Sequence, residues 1–155
     1  MCNRIGWNAC RGIAAIALAA WRAPKNLALH RPITASGVLY GSPTGLVNGS
    51  IEWGTFAFYS NDSGPAWVLI DLEASRSIHE VRIWNRGDGQ LEDAEGTRVE
   101  LSDDGTTFRP AATCEDLFTQ ATPCRLGLGG ARARYVKLVH PWYLALSEVE
   151  VLGWR

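Results

Sequence analysis

Short runs of residues that alternate between apolar and charged side chains recur along most of this chain. Glu80-Val81-Arg82-Ile83-Trp84 is one such run, and Glu148-Val149-Glu150-Val151-Leu152 repeats the pattern near the end. The other predicted strands are Trp67–Leu72, Thr97–Leu101 and Arg134–Val139. Successive side chains of a strand point to opposite faces, so a period of two predicts strands with one buried face. No amphipathic helical pattern of about ten or more residues separates these runs, which argues against a parallel sheet with crossover helices. We therefore predict an all-β chain folded as an antiparallel sandwich.

Two glycine-containing segments of the chain are interpreted as turns between strands. Asp103-Asp104-Gly105-Thr106 follows a predicted strand and precedes Phe108, and Gly105 suits the positive φ of a hairpin bulge. Gly127-Leu128-Gly129-Gly130 shares only its glycines with phosphate-binding loops, because no strand and helix flank it. It is therefore predicted to be a turn.

The composition and the motifs exclude several classes of function. The 155 residues include 15 Lys and Arg and 16 Asp and Glu, so the chain lacks the broad positive charge on which nucleic-acid binding depends. We expect no nucleic-acid partner. His79-Glu80 begins like a zinc-protease motif, but Ile83 stands where the second metal-binding His belongs. Since no Gly-x-Ser-x-Gly occurs and the three histidines are scattered, we predict that the chain is not an enzyme.

The start of the chain differs in composition from the remainder. Basic residues precede an Ala-rich apolar run at residues 13–20. Two interpretations remain open: a secretory signal with Ala17-Leu18-Ala19 as its cleavage site, or an Ala-rich helix packed on the domain. The run is shorter than the ~18 apolar residues of a membrane-spanning helix, so we expect no membrane anchor. We predict a signal-like or helical segment at residues 1–25 and one folded domain at residues 26–155.

The four cysteines divide in the same way. Cys2 and Cys10 lie in the N-terminal segment, so only Cys114 and Cys124 could bridge within the predicted domain. A bridge would contribute roughly 2 to 3 kcal/mol to stability; the alternative is two free thiols. Because disulfides persist in oxidising compartments, a bridge would agree with a secreted or cell-surface protein, which is the localisation we expect.

Five blocks of residues occur in an order that spans nearly all of residues 26–155. They are Asn26–Ser36, Leu46–Gly49, Trp67–Leu72, Val81–Asp88 followed by Val99–Gly105, and Ala133–Leu138 followed by Tyr143–Gly153. In these blocks the chain resembles discoidin domains, also called coagulation factor V/VIII type C domains, and is similar to family 32 carbohydrate-binding modules. The resemblance implies a galactose-binding-like jelly roll of about eight strands, in which loops at one end bind ligands and the sheets are the scaffold.

Arg86-Gly87-Asp88 directly follows the predicted strand Val81–Asn85 and should emerge at one end of the sandwich. A guanidinium and a carboxylate two positions apart can bind vicinal hydroxyls of a sugar, because Arg donates and Asp accepts. The tripeptide also resembles the first half of the fucose-lectin pattern. The chain departs from that pattern, since Asp93 occupies its second basic position and Tyr59 stands where it has His. The alternative is that Arg86 and Asp88 pair with each other to fix a tight turn.

Aromatic side chains in the presumed loops are candidate surfaces for sugar stacking. If residues 51–59 are extended, alternate side chains point outward. We predict that Trp53 and Tyr59 are the exposed ones. Trp142 follows His140-Pro141 in a loop, where it would serve as a stacking platform or insert into a membrane. The predicted ligand-binding residues are Arg86, Asp88, Tyr59, Trp53, Asn85, Trp142 and Tyr40.

The resemblance also implies a structural Ca²⁺ beneath the loops. Relatives supply backbone carbonyls, an acidic residue after the first strand and a Glu near the C-terminus, and Glu148 fits the last role. Val47, Asn48, Ser50 and Ser147 would supply the other oxygens, although Asn48 stands where relatives usually have Asp. The alternative is that Asn48-Gly49 is only a turn and that Glu148 pairs with an Arg.

These observations favour a non-catalytic, lectin-like module that binds a carbohydrate or glycoconjugate through loops at one end of the sandwich. The alternative is an adhesion module that binds a protein or a phospholipid surface through the same aromatic loops. The loops lack the Lys and Arg clusters that attract anionic lipid, so a membrane is the second choice. Modules of this kind often serve larger enzymes or form oligomers, so a homo-oligomer or a larger parent protein is a further expectation.

Overall fold

The computed structural model describes residues 23–61 and 64–154, which form an antiparallel β structure as predicted. The interpretations of residues 1–22 lie outside the described residues. The strands are β1 (Lys25–Asn26), β2 (Ile33–Ala35), β3 (Tyr40–Gly41), β4 (Phe58–Tyr59), β5 (Ala66–Asn85), β6 (Arg98–Ser102), β7 (Arg109–Thr113), β8 (Cys124–His140) and β9 (Ala145–Trp154). Two short 3₁₀ helices span Pro43–Val47 and Leu91–Ala94. Within this part of the chain no helix has the length and apolarity needed to cross a membrane.

The two longest strands, β5 and β8, run through both layers of the sandwich. Their pairing shifts register between Asp71 and Arg76, where Glu73 adopts a positive φ of 64°. Before the shift, β5 pairs with β2, and the facing part of β8 pairs with β6. After it, β5 pairs with β9, which also pairs with β4. The predicted strands Trp67–Leu72 and Glu80–Trp84 are therefore two arms of one bent strand.

The alternating pattern accounts for the core of the sandwich. Val68 and Ile70 in the first arm of β5, and Val81 and Ile83 in the second, are fully buried. Their sequence neighbours point the other way and are only half-buried. Burial of each such aliphatic side chain stabilises the fold by ~1.5–3 kcal/mol, so the strand pattern also supplies the main stabilising contribution.

One of the two predicted turns is confirmed and the other is wrong. The hairpin at Asp103–Thr106 joins β6 to β7, with Gly105 at a φ of 76°. The turn predicted at Gly127–Gly130 instead belongs to β8. There Gly129 and Gly130 take positive φ values in an irregularity of the β5–β8 pairing between Ile78 and Glu80. A bulge needs such conformations, and glycine adopts them without strain.

Cys114 and Cys124 form a disulfide, which decides between the two alternatives that the sequence left open. The bond joins the end of β7 to the start of β8, with 6.0 Å between the two Cα atoms. Inside the loop that it closes, Phe118 is buried at 3% exposure. The disulfide and Phe118 together attach this loop to the sandwich.

Candidate functional site

Arg86 lies at the end of β5, where the chain leaves the sheet. Its Nε donates to Oδ1 of Asp88 at 2.6 Å, and its Nη2 donates to Oδ2 at 2.8 Å. These hydrogen bonds raise the pKa of Arg86 and lower the pKa of Asp88, so both groups stay charged. The Arg86–Asp88 pairing that the sequence left open is therefore present. It fixes the plane of the guanidinium by a bidentate contact.

Aromatic rings surround this ion pair. Cζ of Arg86 lies 5.4 Å from the ring centroids of both Phe56 and Tyr59, within the range of cation–π attraction. Tyr59 in turn contacts Tyr143, with 5.1 Å between ring centroids. We call Arg86, Asp88, Phe56, Tyr59 and Tyr143 the Arg86 cluster. It joins residues from β4, from the end of β5 and from the loop before β9.

One nitrogen of the guanidinium lacks a partner. Arg86 is only 7% exposed, and its Nη1 is buried without a hydrogen bond. Buried donors are almost always paired, because an unpaired one has lost its hydrogen bond to water. Nη1 is closed to solvent, so a ligand oxygen could complete its hydrogen bonding only after a covering side chain moves aside.

Asp93 lies beside the Arg86 cluster. The hydroxyl of Tyr143 donates to Oδ2 of Asp93. Burial raises the pKa of Tyr143, and the bond to Asp93 raises it further, so the hydroxyl stays protonated. Asp93 thus places a carboxylate at the position where the fucose-lectin pattern has a basic residue. We did not predict the contact between Asp93 and Tyr143, because nothing local in the sequence connects two loops so far apart.

The predicted aromatic surfaces differ in their exposure. Trp53 is 67% exposed, as predicted, and Trp142 is 71% exposed. Tyr40 is also exposed, and its ring centroid lies 6.2 Å from that of Tyr59. Tyr59 itself is half-buried, which corrects the expectation that it is exposed, because β4 pairs with a strand on either side. Trp142 and Asp93 line a cleft of about 360 Å³.

Asn85 does not present its side chain to the surface. It is fully buried, and its amide nitrogen donates to the carbonyls of Leu91 and Phe118 at 2.8 Å each. Its Oδ1 accepts the backbone N–H of Arg86 at 2.8 Å. The prediction that Asn85 contacts ligand is wrong, because these bonds occupy its polar groups inside the protein. Asn85 instead holds the Arg86 turn against the second 3₁₀ helix and the loop that contains Phe118.

Gln120 belongs to the site and was missed in the sequence. Its side chain is buried and bonds to the loop that carries Trp53, including the N–H of Gly54 at 2.9 Å. A single Gln in a polar loop carries no pattern that indicates such a role. Only the fold brings the two loops together.

The structure places Glu148, one of the predicted calcium ligands, against the turn at Asn48–Ser50. Glu148 is 2% exposed, and burial raises its pKa to about 8. Its Oε1 accepts the N–H of Gly49 at 3.2 Å, whereas its Oε2 is buried without a partner. A buried, unpartnered carboxylate oxygen fits a Ca²⁺ ligand, because the cation would replace the lost hydration.

Two of the other predicted oxygens already accept one hydrogen bond each. The carbonyl of Val47 accepts the N–H of His30 at 2.7 Å, and Oδ1 of Asn48 accepts the N–H of Ser50 at 2.7 Å. Each such oxygen keeps a second lone pair. No three His, Cys, Asp or Glu side chains at residues 23–61 and 64–154 lie together as a metal site, so Glu148 would depend on neutral oxygens.

Solved structures share this fold. A fucose-binding module from Streptococcus pneumoniae is 27% identical, with a TM-score of 0.72 over 84% of this chain and 96% of that one. A fucolectin from the serum of the striped bass, Morone saxatilis, is 24% identical, with a TM-score of 0.74 over 85% of this chain and 49% of that one. A family 32 module from Clostridium perfringens, solved with GalNAc-β-1,3-galactose, is 16% identical, with a TM-score of 0.70 over 84% and 99%.

The sequence comparison agrees with these structural likenesses. No curated protein is significantly similar to this chain. The family model of NedA-like, galactose-binding domains of the F5/F8 type C class matches residues 46–138, more than half of the chain. The matched range includes Tyr59 and the whole Arg86-Gly87-Asp88 turn. The bent β5–β8 pair, the strand order and this match agree with the predicted resemblance, and the chain belongs to the F5/F8 type C family of galactose-binding-like domains.

Proposed function

We propose that this chain is a non-catalytic, lectin-like module that binds a sugar at the Arg86 cluster. The observation that carries the proposal is the Arg86–Asp88 pair, in which a guanidinium fixed by two hydrogen bonds lies beside two aromatic rings and the Asp88 carboxylate is 33% exposed. Similar folds in the fucose-binding module and in the Clostridium perfringens module support carbohydrate as the ligand class.

The chemistry of the cluster suits hydroxyl groups on a ring. Asp88, whose side chain is 33% exposed, would accept a sugar hydroxyl, and Arg86 would donate to a neighbouring oxygen. The apolar face of the sugar would lie on Tyr59 and Tyr40, with Trp53 or Trp142 covering its outer edge. Asp93 is also a hydrogen-bond acceptor, so this edge of the site favours ligands whose hydroxyl groups can donate hydrogen bonds. A shallow site of this kind buries little area, so we expect dissociation constants of roughly micromolar to millimolar.

A glycan array tests the ligand class. We expect the full chain to bind a restricted set of glycans, and a free monosaccharide from that set should compete. Turnover of the bound glycosides should be absent. An array without competed binding would overturn the proposal.

The second candidate is an adhesion module for a protein or phospholipid surface. The run Val38-Leu39-Tyr40 favours it, because all three side chains are 46–59% exposed beside the cluster. Liposomes of neutral and anionic lipid, with and without competing sugar, separate the candidates. Retention on liposomes that is insensitive to sugar, together with a blank array, would favour the adhesion module.

We also propose that Ca²⁺ binds at Glu148, with oxygens of Val47, Asn48, Ser50 and Ser147 as the remaining ligands. The cation would supply positive charge to the unpartnered Oε2. We expect Ca²⁺ to raise the melting temperature by several degrees relative to chelator, because a ligand that binds only the native state stabilises it.

Two variants make this calcium prediction specific. Glu148→Gln should abolish the shift, and Asn48→Asp should enlarge it by adding a second carboxylate to the site. Equal melting temperatures with Ca²⁺ and with chelator, in both the unsubstituted chain and Asn48→Asp, would rule out the site.

Export to an oxidising compartment is the localisation that we propose. The Cys114–Cys124 disulfide supports it, since such bonds are rare where thiols are kept reduced.

A further inference from the structure

The side chain of Gln120 makes bonds that converge on the loop of residues 51–56, which we call the Trp53 loop. Its Oε1 accepts the N–H of Gly54 at 2.9 Å. Its Nε2, which carries two hydrogens, lies within hydrogen-bond distance of the carbonyls of Glu52 and Thr55, at 2.8 and 3.1 Å, and of Oγ of Ser147, at 2.5 Å, so one hydrogen is shared between two acceptors. Gln120 is only 7% exposed. One buried amide thus contacts this exposed loop at three backbone groups, in addition to the loop's own bonds from Trp53 N–H to Ile51 and from Thr55 N–H to Glu52.

Gln120 can hold the Trp53 loop because its own loop is fixed. The disulfide closes residues 114–124, and Phe118 within them is buried. Next to Gln120, the hydroxyl of Thr119 accepts the N–H groups of Ala121 and Thr122 at 3.1 and 2.9 Å. This compact turn restricts the backbone from which the Gln120 amide projects.

The same contacts reach the Arg86 turn. The carbonyl of Thr55 accepts both from Nε2 of Gln120 and from the N–H of Gly87, the latter at 2.7 Å. Gly87 also lies directly against Gln120, since a Cβ built on it would be 2.2 Å from Oε1 and 2.6 Å from Cδ of Gln120. Three separate parts of the chain thus meet at Thr55 and Gln120. They are the Trp53 loop, the Arg86 turn (residues 86–88) and the disulfide loop (residues 114–124).

We propose that Gln120 is a positioning residue of the carbohydrate site, which holds Trp53 in register with Arg86 from the disulfide-closed loop. The inference rests on the proposed function. Gln120 itself touches no sugar. Each bond that it makes to the Trp53 loop is within two residues of Trp53, so it holds that residue in place. Its contact with Gly87 supports the Arg86 turn as well.

The test is a double-mutant cycle between Gln120 and Trp53 in the full chain, read as affinity for the best glycan of the array. Gln120→Met keeps the length of the side chain and removes its polar atoms. We expect it to weaken binding about tenfold in the unsubstituted chain, and to have a clearly smaller effect in Trp53→Ala, where only its contact with the Arg86 turn remains. Leu117→Ala, an exposed change in the same disulfide loop, is the matched control and should leave affinity unchanged.

A second measurement separates this inference from the proposed function. Hydrogen exchange at the Gly54 and Gly87 amides should be about tenfold faster in Gln120→Met than in Leu117→Ala, whether or not a sugar binds. Should Gln120→Met fail to fold, Ser147→Ala removes one partner of the amide and should give a smaller change of the same kind. A blank array overturns the proposed function. Unchanged exchange at both amides, or an equal loss of affinity with and without Trp53, overturns the role of Gln120.

Discussion

Replacing Arg86 with Ala should weaken glycan binding by roughly 100-fold, below detection for a site with millimolar affinity. Charge-assisted hydrogen bonds contribute ~1.5–3 kcal/mol, and the substitution removes both the donor to ligand and the group that orients Asp88. Arg86→Lys should recover little of this loss, because an ammonium cannot make the two parallel bonds to Asp88. Titration calorimetry or array binding, with a melting curve for each variant, measures the effect.

Arg134 provides a matched control for this prediction. It pairs with Asp71 through two hydrogen bonds of 2.8 Å each and lies 4.9 Å from the ring centroid of Tyr135. The pair repeats the bidentate contact of Arg86 and Asp88 near the bend of β5, where the Arg134 side chain is 41% exposed against 8% for Arg86. Arg134→Ala should therefore leave affinity unchanged. If both variants lose affinity equally, or if neither does, the Arg86 cluster is not the sugar site.

Replacing Gly153 with Ala should destabilise the fold by about 3 kcal/mol or more, the upper range for overpacking in a closed site. An added Cβ would lie 2.1 Å from the carbonyl oxygen of Ser77 and 2.8 Å from Cδ1 of Leu27. Gly153 pairs with Ile78 of β5 and Lys25 of β1, so the backbone cannot move away without losing pairing on one side. Urea or thermal denaturation measures the change in the free energy of unfolding.

Gly127→Ala is the corresponding control. Gly127 also lies in a strand, but no heavy atom lies within 4 Å of a Cβ built on it. We expect its free energy of unfolding to change by no more than ~0.5 kcal/mol, the range of ordinary surface substitutions. A Gly153→Ala variant as stable as Gly127→Ala would show that β9 can separate from β5 at little cost.

The part of the candidate site that directly follows a strand end could be predicted from the sequence. Arg86 and Asp88 follow a run with a clear period of two, so their place at the end of β5 came from local pattern. Asn85, one position earlier, was assigned wrongly, because the same pattern does not say which loops cover the strand end. Leu91, which begins the second 3₁₀ helix, and Phe118, in the loop closed by the disulfide, accept its hydrogen bonds.

The alternation of apolar and charged residues determined by itself that this chain forms antiparallel strands with one buried face, because that preference depends only on neighbouring residues. The hairpin at Gly105 is local for the same reason. Tertiary structure alone decided that Trp67–Leu72 and Glu80–Trp84 form one strand, that Gly129 and Gly130 lie in a bulge, and that Gln120 meets the Trp53 loop. Those outcomes depend on strand register and on contacts between segments far apart in the chain, where each group bonds to whatever partner the folded sandwich places beside it.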